Sequence, residues 1–399
     1  MPLTRRSWLG GALRASAAAA LPFVRPRRAS AALPLRIGLL LPYSKVYALL
    51  GESITDGMRV VFESLDHTVA GRRVELIRED EETPQVALRK VRKLVQSDRV
   101  DVLVGPVSSA VAAAIRDFVH QNRTLLLIAN AGDDSLCRER CSPSIFRTSF
   151  SNWQTGWAFG AYAARAVGKT AFVSGADYAA GRQITGGFKE SFTAAGGRVV
   201  GEAFAPLGTA DYGAYLAQIK AAGPKLSFSF FAGSDAVNFV RQFADYGLKG
   251  SIKLTGSGFL VSDDVLPAQG DAALGARSTL HYANTLDNAE NRAFRGRYER
   301  LTGRAANVYA VQGYDTARVI VEALGKTGGR TDDPDALARA VRGVSFASPR
   351  GRVRFDPATQ NVIQDFYILE TRRAPGGLVN VAIETVKDVR DPGTGCKLG

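Results

Sequence analysis

The residues that offer chemistry in this sequence sit in short turns rich in glycine and serine. In Gly105-Pro106-Val107-Ser108-Ser109 the two serines stand where a strand runs into a helix. The free backbone N–H groups of a helix start, with its dipole, hold either a capping hydroxyl or an anion such as a carboxylate. Asn130-Ala131-Gly132-Asp133-Asp134 is a turn after another strand, and its small residues let a ligand approach the backbone. Tyr43, Tyr47, Tyr178 and Tyr282 lie after further strands and offer flat apolar faces with hydroxyl tips. Ala232-Gly233 and Gly256-Ser257-Gly258 end two more strands with small residues and no charge.

Catalytic patterns are missing. Ser257 lacks the first glycine of G-x-S-x-G, because Thr255 stands there. Gly168-Lys169-Thr170 has the end of a phosphate loop, but Ala163 replaces the earlier glycine and a strand follows instead of a helix. His67, His120 and His281 show no metal-ligand spacing, so neither a metal nor a cofactor is expected. Cys137 and Cys141 are four apart; in an oxidising compartment they are expected to close a small disulfide loop, with Cys396 left over.

The elements that position these turns follow a β/α rhythm. Arg36–Leu41, Val74–Ile77, Val100–Val104 and Thr124–Ala129 read as strands, separated by helices over Ser53–Asp66, Gln85–Gln96 and Ser108–His120. The rhythm restarts with a helix at Trp153–Val167. Strands at Thr170–Ser174, Arg198–Phe204, Leu226–Phe231 and Ser251–Thr255 then alternate with helices at Ala180–Ala195, Tyr212–Ala221 and Asp235–Tyr246. Phe228 and Phe230 share one strand face and read as core. Helices at Asn288–Leu301, Tyr309–Leu324 and Pro334–Arg342 precede a tail of strands at Val353–Phe355, Phe366–Leu369 and Val379–Ile383. Two such sets predict an α/β protein of two lobes with parallel-sheet cores. A ligand then belongs in the cleft, beyond the carboxyl ends of the strands.

A chain of 399 residues is long enough for two domains, and 46% apolar with 22% charged residues is ordinary for a globular protein. Disordered, collagenous and disulfide-scaffold classes are excluded. No apolar run reaches the roughly 18 residues of a membrane span. The formal net charge is +13, but the first 32 residues hold six Arg and no acid, so seven of those charges remain beyond them. Nucleic-acid binding thereby loses its main support. That first segment has Arg5-Arg6, an alanine-rich apolar stretch and the small residues Ala29-Ser30-Ala31-Ala32. It resembles a twin-arginine export signal, removed near Ala31 or Ala32. With no cysteine after it, the expected product is a free periplasmic protein, a monomer without a membrane span.

Several segments together resemble the periplasmic solute-binding proteins of branched-chain amino acid-type ABC importers. They are Ile37–Ser44 with Gly51 and Asp56-Gly57, Val104–Ser109, Asn130–Gly132, Phe146–Ser149, Phe231–Val237 and Gly313-Tyr314-Asp315. The resemblance implies the type I periplasmic-binding fold, two Rossmann-like lobes joined by three crossovers near 150, 282 and 360. Lobe 1 is then 33–150 plus 283–360, and lobe 2 is 151–282 plus 361–399. It implies a small-molecule ligand, ABC permease subunits as partners and no reaction. Ser109, Gly132 and Asp133 match the carboxylate site of amino-acid-binding members, with Ser108 beside them, and Tyr178 matches the tyrosine that closes over the ligand. A glutamate that holds the α-ammonium in those members is replaced here at about Ser257, and a covering aromatic by Ala232-Gly233. Asp133 adds a negative charge where the family often has none. An aromatic or other organic carboxylate is therefore the expected ligand, with branched-chain amino acids as the alternative. A ligand-sensing receptor of the same fold is the other class to separate.

Overall fold

The computed structural model describes residues 33–398. The twin-arginine reading and its cleavage point fall outside them. The strands are β1 (Leu35–Leu41), β2 (Thr68–Val69), β3 (Arg72–Asp80), β4 (Val102–Val104), β5 (Leu126–Ile128), β6 (Ile145–Arg147), β7 (Thr170–Ala176), β8 (Arg198–Ala205), β9 (Leu226–Phe230), β10 (Lys253–Ser257), β11 (Arg277–Leu280), β12 (Ser345–Ser348), β13 (Gly351–Phe355), β14 (Val362–Ala374) and β15 (Gly377–Val389). The helices are α1 (Ala48–Glu63), α2 (Pro84–Arg92), α3 (Ser109–Gln121), α4 (Asn152–Ala166), α5 (Ala179–Ala194), α6 (Gly213–Ala222), α7 (Gly233–Asp245), α8 (Leu266–Gln269), α9 (Ala289–Thr302), α10 (Val308–Thr327) and α11 (Pro334–Arg342).

Two sheets result. The first runs β2-β3-β1-β4-β5-β6 and is parallel except for the β2–β3 pair. The second runs β12-β13-β14-β11-β10-β9-β7-β8, with β15 on β14. Its β8, β7, β9, β10 and β11 are parallel, and β12 to β15 are antiparallel. Central strands such as Leu35–Leu41 and Leu226–Phe230 are buried almost throughout, as strands covered on both faces must be.

Local chemistry sets the helix starts. Ser151 and Gln154 form a reciprocal capping box on α4, and Asn307 caps α10 through the Ala310 N–H. Thr83 and Asp333 cap α2 and α11, each with proline in the first turn. Two of the resembling segments meet in space. A Cβ on Gly57 would stand 1.9 Å from the Ala310 carbonyl oxygen, and one on Gly313 would stand 1.9 Å from that of Ile54. Glycine at both sites lets α1 and α10 pack backbone to backbone.

A buried polar knot lies where the chain passes between the sheets. The Arg350 guanidinium donates to Asp315 Oδ2 at 2.5 Å, to the carbonyls of Thr148 at 2.5 Å and Ser149 at 3.0 Å, and to the Gln364 side chain. Arg350 and Asp315 are each fully buried as side chains. Gln154 Nε2 donates to the carbonyls of Val362 and Val389. Asp391 accepts from Arg138 at 3.0 Å and from Ser151 Oγ at 2.6 Å. The segment after β15 is thus drawn back onto residues 138–151.

The expected Cys137–Cys141 loop is corrected. Cys141 is bonded to Cys396, 255 residues away, with 5.6 Å between Cα atoms. Cys137 is the free thiol, buried; it donates to the Asp134 carbonyl and accepts from Arg147. Its side chain is turned into the core on a short 3-10 turn, whereas Cys141 faces the returning end of the chain. Four residues of spacing allowed the local pair, but the return of residues 390–396 supplied the real partner.

Candidate functional site

A cavity lies between the carboxyl ends of the strands of the two sheets. It leaves about 330 Å³ of space not filled by atoms, part of it open to solvent. From the first sheet's loops come Tyr47 and Leu50 after β1, Val107 and Ser109 after β4, and Asn130 and Gly132 after β5. The second sheet contributes Tyr178, Ala180 and Ile184 after β7, Phe230 and Ala232 at the end of β9, and Phe259 after β10. Phe150 and Asn152 enter from the connection after β6, and Tyr309 from the first turn of α10.

Aromatic rings make most of the wall. Phe259 has ring centroids of Phe150 at 5.1 Å, Tyr309 at 6.0 Å and Phe230 at 6.3 Å, and Phe230 has Tyr178 at 6.2 Å. The Tyr47 and Tyr178 hydroxyls meet across the cavity at 3.2 Å. Burial pushes the Tyr178 hydroxyl up to about 12 and Tyr47 well above its ordinary value, so both remain neutral donors.

The polar groups are neutral and held in place. Asn152 Nδ2 donates to Ser109 Oγ at 3.2 Å and to Gln183 Oε1 at 2.7 Å. Asn130 Nδ2 donates to Gln312 Oε1 at 2.8 Å, and Gln312 Nε2 lies 3.2 Å from His281 Nε2. With its oxygen already accepting, Ser109 has its own O–H free to donate at the start of α3. Behind this turn, Glu81 is 2% exposed and accepts from the N–H groups of Val107 at 2.6 Å and Ser108 at 2.7 Å. Burial pushes its carboxyl up to about 7 against those two bonds. None of the cavity's lining residues is acidic or basic.

The strand ends do border the cavity, but only some of the residues expected there line it. Tyr47, Ser109, Gly132, Tyr178 and Ala232 line the cavity. Ser108 gives its N–H to Glu81, and Gly233 starts α7. The Tyr43 hydroxyl is paired with Thr55 at 2.9 Å, and that of Tyr282 donates to Asn291 at 2.9 Å. Ser257 is fully buried outside the lining, its Oγ without a partner. Asp133 turns away: its carboxylate accepts from Ser135 Oγ at 2.9 Å and Gln183 Nε2 at 2.8 Å. Asp235 accepts from the Gly208 N–H and Asp315 is held by Arg350, so neither serves the cavity.

Residues that the sequence did not single out include Asn130, Asn152, Phe150, Phe259 and Tyr309. Asn130 and Phe259 lie inside strand-end segments and were within reach of that expectation. Phe230, read as core, forms wall as well as core. Tyr309 follows no strand, and only the packing of α10 on α1 brings it here.

Two parallel-sheet units with a small, aromatic-walled cavity between their strand ends make a receptor for a small solute, in the type I periplasmic-binding fold. The chain belongs to the periplasmic binding protein family, whose model matches residues 34–376. The Leu/Ile/Val-binding protein homolog 6 of Brucella melitensis is 32% identical over 366 residues, 90% of this chain and 93% of that one. An ABC-transporter solute-binding protein of R. palustris, solved with benzoate, is 37% identical with a TM-score of 0.85, over 92% of this chain and 100% of its own. Another, from Rhodopseudomonas palustris BisB5, solved with 3,4-dihydroxy benzoic acid, is 34% identical with a TM-score of 0.86, over 90% and 99%. The resemblance read from the sequence therefore holds for family and fold, and the family's location is the periplasm. Among the described residues no helix is long and apolar enough to cross a membrane.

Proposed function

We propose that this protein is the solute-binding component of an ABC importer and that its cavity takes a small aromatic carboxylate. One observation carries the choice of ligand: six aromatic side chains and no acid line the cavity. An ammonium buried there without a counter-charge would cost several kcal/mol. A carboxylate instead meets the Ser109 hydroxyl, the start of α3 and the remaining N–H of the Asn130 amide, while its ring meets the aromatic wall. The R. palustris relatives solved with benzoate and with 3,4-dihydroxy benzoic acid support the same reading.

The lobes are 33–150 plus 283–360 and 151–282 plus 361–399. Closing them removes water from the ligand and forms the surface offered to the permease subunits. The protein works as a monomer and catalyses nothing. Residues 1–32 are its twin-arginine signal; changing Arg5 and Arg6 to Lys should leave precursor in the cytoplasm, and normal export of that variant would reject the assignment.

Calorimetry with benzoate, hydroxybenzoates and leucine tests the ligand. Binding of the aromatic acids, weakened by Ser109→Ala by about 0.5–1.5 kcal/mol, or up to about 3 for an ionised acceptor, is expected. Tight leucine binding with no response to any aromatic acid would overturn it in favour of a branched-chain amino acid, the ligand named for the Brucella relative.

A further inference from the structure

Among the cavity's hydroxyls one is left without a partner. Tyr309 is 1% exposed, and its hydroxyl makes no hydrogen bond. The other two tyrosines of the lining satisfy each other across the cavity. The Ser262 hydroxyl, on the neighbouring loop, lies near that of Tyr309 and tempers the upward push of burial on it, but Ser262 turns its own O–H to Asp264 Oδ1 at 2.6 Å and makes no well-formed bond to the phenol. The ring of Tyr309 is held against Phe259 at 6.0 Å and 28°, and its backbone is fixed in the first turn of α10 behind the Asn307 cap. The hydroxyl therefore sits on a rigid mount. A buried phenol without a partner destabilises a protein relative to phenylalanine, so its presence calls for a partner from outside the chain.

The lining supplies two kinds of polar group. The Ser109 hydroxyl and the free N–H of Asn130 suit a carboxylate. The tyrosine hydroxyls suit a second, neutral polar group separated from that carboxylate by something flat and apolar. A benzene ring that carries a carboxylate and a hydroxyl has this build.

We infer that Tyr309 is a specificity-determining residue whose hydroxyl pairs with a ring hydroxyl, so that the preferred ligands are hydroxylated aromatic carboxylates over the unsubstituted acid. The inference rests on the aromatic-carboxylate reading of the cavity and sharpens it. A site built to bond a hydroxyl rejects the analogue without one, because its own group is then left unpaired.

Calorimetry of benzoate and of 2-, 3- and 4-hydroxybenzoate, against the wild type and Tyr309→Phe, tests it. The wild type should bind one of the hydroxybenzoates about tenfold tighter than benzoate, the usual worth of one well-made hydrogen bond. In Tyr309→Phe that preference should shrink to about threefold or less, while benzoate binding is unchanged or slightly improved. Without ligand, Tyr309→Phe should unfold at the same temperature as the wild type or higher. A preference that survives in Tyr309→Phe, or a wild type that binds benzoate as well as every hydroxybenzoate, overturns the role of Tyr309 and leaves the aromatic-carboxylate reading standing. Binding of leucine with no aromatic acid bound overturns both. A Tyr309→Phe variant that melts well below the wild type overturns the inference too, since the hydroxyl would then serve the fold.

Discussion

Replacing Arg350 by methionine should be among the most damaging single changes in this protein, and the damage should depend on pH. The guanidinium is fully buried and is the cation facing Asp315, which otherwise accepts only from Ser348 Oγ at 2.9 Å. Asp315 Oδ1 already lacks a partner. At close range and an effective dielectric near 20, the lost attraction is about 4 kcal/mol, within the roughly 3–5 kcal/mol expected when one partner of a buried pair is removed. The carbonyls of Thr148 and Ser149 lose donors as well. Burial already pushes the Asp315 carboxyl up against the pull of Arg350. Without Arg350 only the Ser348 hydrogen bond and the charge of Arg318 oppose that push, so the carboxyl rises further and takes up a proton more readily in the folded state. A folded value above the unfolded one means stability present at low pH and lost as pH rises between the two. Urea unfolding at pH 5 and pH 8 should therefore show a larger loss for Arg350→Met at pH 8. Arg350→Met with Asp315→Asn should recover part of the loss and remove its pH dependence. A loss below about 1 kcal/mol, or equal losses at both pH values, would refute the reasoning.

Other outcomes follow from single features. Cys396→Ser opens a cross-link spanning 255 residues, and the chain-entropy argument expects a loss of up to about 5.5 kcal/mol. Thiol titration of the native wild type should find no reactive cysteine, and of the denatured, unreduced protein one, Cys137. Glu81, pushed up to about 7 by burial, lies behind the turn that carries Ser109. Its folded value is raised, so it favours the folded state below the unfolded carboxyl range and loses that advantage as pH rises towards 7. Its negative form also repels a bound carboxylate. Benzoate affinity should fall from pH 6 to pH 8, and Glu81→Gln should flatten that fall; an unaltered profile in the variant would reject the linkage. Gly313→Ala would force a Cβ to 1.9 Å from the Ile54 carbonyl and should lower the melting temperature by several degrees.

The order of elements was legible because each rests on local signals. Leu35–Leu41 is a continuous apolar run, and α11 keeps its expected bounds because Asp333-Pro334 starts it and Gly343 follows it. Boundaries drifted where tertiary contact decides. The expected Ser53–Asp66 helix begins at Ala48, because Gly51 packs against the Pro42 carbonyl and the first turn is held there. The short strand β6 and the strand β11 gave little local signal and exist through their neighbours in the sheet. In the cavity, Ser109 and Tyr178 were legible from their places after strands. Tyr43 and Tyr282 had equal claims by position, but their hydroxyls are taken up by Thr55 and Asn291.

The sequence alone determined the succession of strands and helices, the family, and the strand ends that border the cavity. These rest on interactions within about ten residues, or on a parallel topology that leaves one edge of each sheet for binding. Only the tertiary structure decided which side chains face the cavity, that Cys141 pairs with Cys396, and that Tyr309 lies in the cavity wall. Each depends on residues more than a hundred positions apart being packed together. Which face of a turn points inward is settled by the volume its neighbours occupy, and no local pattern records that.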